Sequence, residues 1–130
     1  MRLDGFLDLS KIRKVKYEDR YTRFILPHNC LLFNWRNAPK HVGKTALFTK
    51  DDGEYISASF LLTLVNKAPD IIDNRYAWWG INDLRRKGYF MRNARQAVNQ
   101  TNFNGELLAQ TKISVPSLDT QLDIICLLYT

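Results

Sequence analysis

The side chains best suited to binding chemistry lie in a short polar stretch between two apolar runs. Residues 34–41 read N-W-R-N-A-P-K-H, and the apolar residues 30–33 and 46–48 stand on either side. An indole can stack on a nucleobase, a guanidinium can fork onto a guanine edge or a phosphate, and an amide can read an adenine edge. An ordinary polar hairpin loop is the alternative interpretation of the same residues.

A second polar stretch, residues 89–104, is rich in amide and guanidinium groups. Arg92 and Arg95 alternate with six amide side chains: Asn93, Gln96, Asn99, Gln100, Asn102 and Asn104. Arginines and amides are the side chains that read guanine and adenine edges in the major groove of DNA. Amides also cap helices and tie down loops, so a purely structural role stays open.

A third motif, Gly43-Lys44-Thr45, matches only the end of the phosphate-binding loop found in nucleoside triphosphatases. That loop needs a glycine five positions earlier, where this sequence has Ala38, and it needs a helix directly after the lysine. The apolar residues 46–48 soon meet the turn signal at residues 51–53, which predicts a strand instead. We therefore reject a nucleoside triphosphate site.

The charge distribution favours a partner that carries phosphate. The net charge is +6 and the sequence pI is about 9.5. Residues 1–50 contain eleven Lys or Arg against four acidic residues, residues 51–74 one against five, and residues 75–112 seven against two. Two basic blocks around an acidic one can place positive charge on one face, as a phosphate backbone requires. A solvated basic surface without a partner is the alternative.

The remaining composition argues against several other classes of protein. The 130 residues suit one domain, and no apolar run approaches the roughly 20 residues of a membrane span. The first residues lack the apolar segment of a signal peptide. Cys30 and Cys126 lie in apolar runs, which predicts buried thiols in a reducing cytoplasm. Two isolated histidines offer no metal-ligand spacing, and we find no nucleophile–base pair and no cofactor loop. We expect no metal, cofactor, membrane partner or catalytic activity.

Short strands and a few helices are predicted to hold the polar stretches in place. The predicted strands are residues 3–9, 24–26, 30–33, 46–48, 55–57, 59–65 and 113–115. The clearest helix runs from an N-cap at Asp70 or Asp73 to the basic residues 85–87, with Gly88 at its end. A helical turn is predicted around residues 104–109, and Ser117 caps a final helix. This pattern predicts an α+β fold with a small mixed β-sheet core, a few packed helices and long polar loops.

Four stretches in a fixed order resemble a known family. They are L-P-H-N-C-L-L-F-N-W-R-N (residues 26–37), V-G-K-T-A-L-F (42–48), R-Q-A-V-N-Q-T-N-F (95–103) and L-L-A-Q-T-K-I-S-V-P-S-L-D-T-Q (107–121). Their order is similar to that of the target recognition domain of type I restriction–modification specificity subunits. The third resembles the family's "NQ-x-N-I" segment, and the last resembles the signature that opens its long spacer helix. Each stretch alone would be weakly specific.

The resemblance has departures and covers only part of such a domain. His28-Asn29 stands where the family usually has Gly-Asp, and Val115-Pro116-Ser117 replaces the usual Leu-Pro-Pro. The chain is similar to the rear two-thirds of one recognition domain. We expect residues 1–116 to be a partial target recognition domain and residues 117–130 to be the start of a truncated spacer helix. This extent is typical of a truncated, silent or recombinable specificity cassette.

The resemblance implies a non-catalytic reader of double-stranded DNA in the cytoplasm. Such a reader directs methyltransferase and restriction subunits to one half of a split DNA site. The residues expected to read bases are Asn34, Arg36, Asn37, Gln96, Asn99 and Asn102. The residues expected to contact phosphates are Lys40, Lys44, Arg92 and Arg95. Trp35 and Gln100 complete the expected DNA-binding set. The alternative is a protein-interaction or oligomerising fragment that pairs through its C-terminal helix without binding DNA.

Overall fold

The computed structural model describes residues 1–97 and 99–128, which form two small antiparallel sheets with helices packed beside them. The strands are β1 (Cys30–Asn34), β2 (Arg36–Asn37), β3 (Thr45–Phe48), β4 (Leu61–Leu64), β5 (Arg95–Ala97) and β6 (Gln100–Asn102). The helices are α1 (Asn74–Arg86), α2 (Tyr89–Asn93), α3 (Gly105–Ala109) and α4 (Leu118–Leu128), and a 3-10 helix spans Asp19–Phe24. The sheet orders are β3-β1-β4 and β2-β6-β5. The predicted α+β class is confirmed, with two antiparallel sheets in place of one mixed sheet.

Strand β1 is the centre of the first sheet and of the hydrophobic core. All five of its residues are buried, because β3 and β4 cover its two edges and other elements cover its faces. The ring of Phe33 lies 5.1 Å from that of Phe90 in α2 and 6.0 Å from that of Phe103, which follows β6. The Phe90 and Phe103 rings meet edge-on at 4.8 Å. This aromatic cluster fixes the second sheet against the first.

Helix α1 has the ends that its sequence predicts. The carboxylate of Asp73 accepts a hydrogen bond from the backbone N–H of Arg75, which satisfies one of the free donors of the first turn. After the last turn Gly88 has a φ of 78°, a left-handed conformation that glycine adopts without strain. Buried Asn82 joins α1 to β3, since it bonds both the N–H and the carbonyl of Thr45.

Four of the predicted strands are wrong. Residues 3–9 and 113–115 form no strand, and the only pairing near the predicted strands 24–26 and 55–57 is an isolated bridge between Ile25 and Ile56. Gly5 turns the chain with a φ of 85°, and the Ser114 carbonyl is bound by the hydroxyl of Tyr76 rather than by a strand. Alternation of apolar residues alone therefore does not predict a strand, because a strand also needs a neighbour whose main-chain groups are free to pair with it.

Helix α4 docks on the start of α1 through a buried amide. Gln121 is fully buried, and its Oε1 accepts from the N–H of Asp73 while its Nε2 donates to the carbonyls of Ile71 and Pro116. The predicted cap is confirmed, since the Ser117 hydroxyl accepts from the N–H of Thr120. The thiol of Cys30 is buried as predicted, but that of Cys126 is exposed, which corrects the prediction for this residue. Within the described residues no helix has both the length and the apolar character needed to cross a membrane.

Candidate nucleic-acid interface

The second sheet brings the two polar stretches of the sequence together. Strand β2 comes from the first stretch and strands β5 and β6 from the second, and β6 pairs with both. In this register Asn102 lies opposite Arg36 on one side and opposite Arg95 on the other. Of the residues that the sequence predicts to read bases, Arg36, Asn37, Gln96 and Asn102 thus lie on adjacent strands of one sheet, and Asn99 lies in its turn.

The side chains of this sheet form two rows, one on each face. Directly opposed residues of antiparallel strands project to the same face, so Arg36, Asn102 and Arg95 form one row. Two strand spacings separate the main chains of the two arginines by about 10 Å, which equals about three base steps of a DNA strand. The other row is Asn37, Thr101 and Gln96, in which the buried Thr101 hydroxyl donates to the Gln96 amide oxygen at 3.2 Å.

Strands β5 and β6 form a hairpin that projects polar groups into solvent. Ala97 pairs with Gln100, and Asn99 lies in the turn of the hairpin. Asn99 has a φ of 61° in this turn, a left-handed conformation that asparagine tolerates better than most residues. The exposed residues of the hairpin are Arg95, Gln96, Ala97, Asn99 and Gln100. A two-stranded β-ribbon of this kind fits the major groove of B-DNA.

The indole of Trp35 is tied to the protein and supports Arg36. Its Nε1 donates to the carbonyl of Ser59 at 2.8 Å, and its ring is half-buried against the core. The Arg36 guanidinium lies 5.5 Å from the ring centroid, within the range of a cation–π contact. The backbone carbonyl of Trp35 also accepts from the N–H of Phe103 at 2.7 Å. Trp35 therefore positions both the guanidinium beside it and the strand that follows.

An open cleft of about 370 Å³ lies beside the row of Arg36. Its lining residues are Arg36, Asn37, Ala38, Phe60, Asn99 and Gln100. Four of these residues belong to the predicted DNA-binding set, but sequence reasoning missed Phe60. No local pattern marks Phe60, which lies 24 positions after Arg36 in the sequence and whose carbonyl accepts from the Trp35 N–H at 3.1 Å.

Two of the residues predicted to contact DNA lie inside the protein and not on the surface of the sheet β2-β6-β5. Asn34 is 2% exposed within β1, and its Oδ1 is buried without a hydrogen-bond partner. Lys44 is 7% exposed, and its ammonium donates to the carbonyl of Met1 at 3.0 Å. Burial, followed by the nearby charge of Arg85, lowers the pKa of the Lys44 ammonium below its usual value. The structure does not bring either residue to the exposed sheet.

The other predicted cationic residues are exposed. Lys40 lies in the turn after β2, and Arg92 at the end of α2 donates to the carbonyl of Lys87, which caps α1. Arg95 forms an ion pair with Glu106 at 4.0 Å, with side chains that are 68% and 71% exposed. So exposed a pair is weak, and it leaves the Arg95 guanidinium available to another partner.

The described residues contain no group of three His, Cys, Asp or Glu side chains that could hold a metal ion. Two side-chain acceptors of the sheet region, Oδ1 of Asn34 and Oδ1 of Asn102, are buried without partners. Among the described residues, Glu106 is the acidic residue that forms an ion pair with a cation of this sheet, Arg95. The exposed guanidinium and amide groups of the sheet can bind polar groups and negative charge.

Comparison with known proteins places the chain in a family. The family model of the type I restriction modification DNA specificity domain matches residues 5–128. The chain therefore belongs to the family of type I restriction–modification DNA specificity domains, as the four sequence stretches indicated. It is also 27% identical over 124 residues to a Methanocaldococcus jannaschii protein whose name describes the specificity subunit of the type I restriction enzyme MjaX. That match covers 93% of this chain and 29% of the relative.

Proposed function

We propose that this chain reads a DNA sequence through the sheet β2-β6-β5, as part of a type I restriction–modification specificity subunit. The observation that carries the proposal is the pairing of the two polar stretches in one sheet, with Arg36 and Arg95 on either side of Asn102. Membership of the specificity-domain family supports it independently. Because the chain spans 29% of the relative's length, the activity and partners of a whole subunit belong to this proposal.

The hairpin β5–β6 enters the major groove, and the guanidinium and amide groups beside it form hydrogen bonds with base edges. Arg36 is the residue best placed for a paired contact with guanine, because its exposed guanidinium lies over the indole of Trp35 beside the cleft. Asn99 and Gln100 line the cleft beside Arg36 and supply exposed amides there, whereas the side chains of Asn37 and Gln96 belong to the row on the other face of the sheet. The exposed cations Lys40 and Arg92 flank the sheet and contact phosphates, which positions the protein without reading sequence.

The proposed role is non-catalytic and cytoplasmic, and the methyltransferase and restriction subunits are the proposed protein partners. Helix α4 offers one surface for such contacts, because Leu122 and Leu128 are 41% and 47% exposed. A second copy of the chain is the other partner that α4 can accept. Light scattering of the chain and of its Leu122→Glu variant separates these partners. Self-association through α4 would give the unmodified chain a mass above that of one copy, and the variant a lower mass.

The experiment is a selection of bound duplexes from a random DNA library, followed by affinity measurements on the selected sequence and its single-base variants. Arg36→Ala is expected to relax the preference at one base pair, with a loss of about 1–3 kcal/mol there. Lys40→Ala is expected to weaken binding to all duplexes alike, and to lower the slope of log K against log salt by about 0.9. Arg13→Ala, a change of an exposed arginine far from the sheet in sequence, is the matched control.

Two results would contradict the assignment of this sheet to base reading. One is a selection that yields no preferred sequence with the unmodified chain. The other is an Arg36→Ala variant that weakens every duplex to the same extent as Lys40→Ala does. The second result would leave DNA binding in place but would give Arg36 a phosphate contact.

A further inference from the structure

Three basic side chains from different parts of the fold lie near enough for their charges to interact, and the first residues of the chain contact two of them. His41 lies in the connection between β2 and β3, Lys44 directly precedes β3, and Arg85 lies in the last turn of α1. The ammonium of Lys44 donates to the carbonyl of Met1 at 3.0 Å, and the guanidinium of Arg85 donates to the carbonyl of Leu3 at 2.7 Å. One short segment therefore covers both cations with neutral acceptors.

No carboxylate neutralises this cluster within the described residues. The ion pairs found there involve other cations: Arg2, Arg20, Arg75, Lys87 and Arg95. The charges of the cluster instead act on one another. Burial and then the Arg85 charge lower the pKa of Lys44, and burial, then the charges of Lys44, Lys40 and Arg85, lower the pKa of His41. Buried charge is normally paired with opposite charge, so the neighbouring cations Lys44 and Arg85 without a carboxylate are a costly arrangement.

The cluster also has more hydrogen-bonding nitrogen atoms than it has partners. Nε of Arg85 and Nδ1 of His41 are both buried, and neither has a hydrogen-bond partner. An unsatisfied buried donor loses its hydration and gains nothing in return. The two carbonyls above the cluster satisfy one nitrogen each and carry no charge. A ligand that fits this chemistry is an oxyanion with several acceptor oxygens.

We propose that His41, Lys44 and Arg85 form a phosphate-binding site in which a phosphate group replaces the carbonyls of Met1 and Leu3. The phosphate is either a free ion or a phosphodiester of bound DNA, and the second case rests on the proposed function. The site is distinct from the exposed sheet, and it is not a nucleotide-binding loop, because the strand β3 follows Lys44 where such a loop requires a helix. Exposed Lys40 and Arg86 lie next to the cluster in the chain and extend its positive charge to the surface.

The first test needs no DNA. Thermal unfolding of the full chain is measured in sodium phosphate and in sodium chloride of the same ionic strength. At about ten times its dissociation constant, phosphate is expected to raise the Tm of a chain of this length by about 5 °C. The rise should disappear in Lys44→Met and in Arg85→Met, and should persist in Lys67→Met, a change of an exposed lysine of the acidic segment. Equal shifts in all four proteins, or none in the unmodified chain, would overturn the site.

A second measurement uses the unmodified chain and so does not depend on the folding of any variant. In NMR spectra, phosphate should shift the Nε–H signal of Arg85 and the ring signals of His41, with the same dissociation constant as the thermal titration. Signals that stay unchanged at saturating phosphate would refute the proposed contacts.

Measurements of duplex binding distinguish the two sources of phosphate. If the site takes a backbone phosphodiester, Lys44→Met lowers the salt slope of duplex binding by about 0.9, whereas Lys67→Met leaves it unchanged. A thermal response to phosphate with an unchanged salt slope supports the site and assigns it to free phosphate. Because the thermal and NMR titrations contain no DNA, failure of the DNA-reading function would not change their outcome.

Discussion

Replacement of Asn82 by leucine tests how strand β3 is held against helix α1. Asn82 is 1% exposed, and its Oδ1 accepts from the N–H of Thr45 at 3.2 Å. Its Nδ2 donates to the carbonyls of Thr45 and Trp78 at 2.8 and 2.9 Å. Thr45 pairs with Phe33 of β1, yet its own N–H and carbonyl are bound by Asn82. The amide of Asn82 thus takes the place of a neighbouring strand at the free edge of β3.

The magnitude follows from the groups that the substitution leaves unpaired. Leucine has nearly the shape of asparagine but neither donor nor acceptor, so the buried N–H and carbonyl of Thr45 lose their partners. Each unsatisfied buried group costs about 1–3 kcal/mol, which gives a loss of about 2–6 kcal/mol. Typical domains have a free energy of unfolding of about 5–15 kcal/mol, so the variant should lose a large part of its stability.

The assay is urea unfolding of Asn82→Leu followed by circular dichroism, with Asn93→Ala as the matched control. Asn93 is an exposed helical asparagine whose amide donates to the carbonyl of Tyr89, so its removal should change stability by no more than about 0.5 kcal/mol. A midpoint that moves as little in Asn82→Leu as in the control would refute the view that this amide holds the edge of β3.

Two further predictions concern packing and thiol exposure. Gly43 has a φ of 84°, and a Cβ there would lie 2.2 Å from Cδ2 of Phe90, so Gly43→Ala should lower the Tm strongly. Gly53 lies in open surroundings, so Gly53→Ala should leave the Tm nearly unchanged. Equal thermal unfolding of the two variants would contradict this prediction. In the folded protein a thiol reagent should modify Cys126 rapidly and Cys30 only on unfolding, because Cys30 is 1% exposed and burial raises the pKa of its thiol. Two thiols that react equally fast in the folded state would contradict the described burial.

Elements that depend on local signals are the ones that sequence reasoning located correctly. β1 and β3 are compact apolar runs, and α1 has both an N-cap at Asp73 and a glycine after its last turn. The strands β2, β5 and β6 have two or three residues each and are made almost wholly of polar residues. They form only because distant main-chain groups come together, and no apolar alternation marks them. The predicted strand at residues 113–115 failed for the converse reason, since its apolar pattern found no neighbour.

For the candidate site, the sequence predicted residue types but not their exposure. Asn34 and Asn37 are the same residue type three positions apart, yet the first lies in the covered central strand and the second beside the open cleft. Lys40 and Lys44 differ in the same way, since one is exposed and the other is 7% exposed beneath Met1. In the sequence, the basic residues 85–87 indicate only the end of helix α1. The orphan Nε of Arg85 shows that one of those cations is partly enclosed.

The segment between β1 and β3 is held at both ends by main-chain hydrogen bonds. The carbonyl of Asn34 accepts from the N–H of Gly43 at 2.8 Å, and the N–H of Asn34 donates to the carbonyl of Lys44 at 2.8 Å. The carbonyl of Trp35 holds Phe103 beside β6 in the same way. Because these bonds involve no side chain of the exposed sheet, side chains at positions such as Arg36 and Gln96 can be exchanged while their main-chain positions stay fixed. Under the proposed function, such a sheet separates the residues that specify the fold, which are buried residues such as Phe33, from the exposed residues that would read a bound sequence.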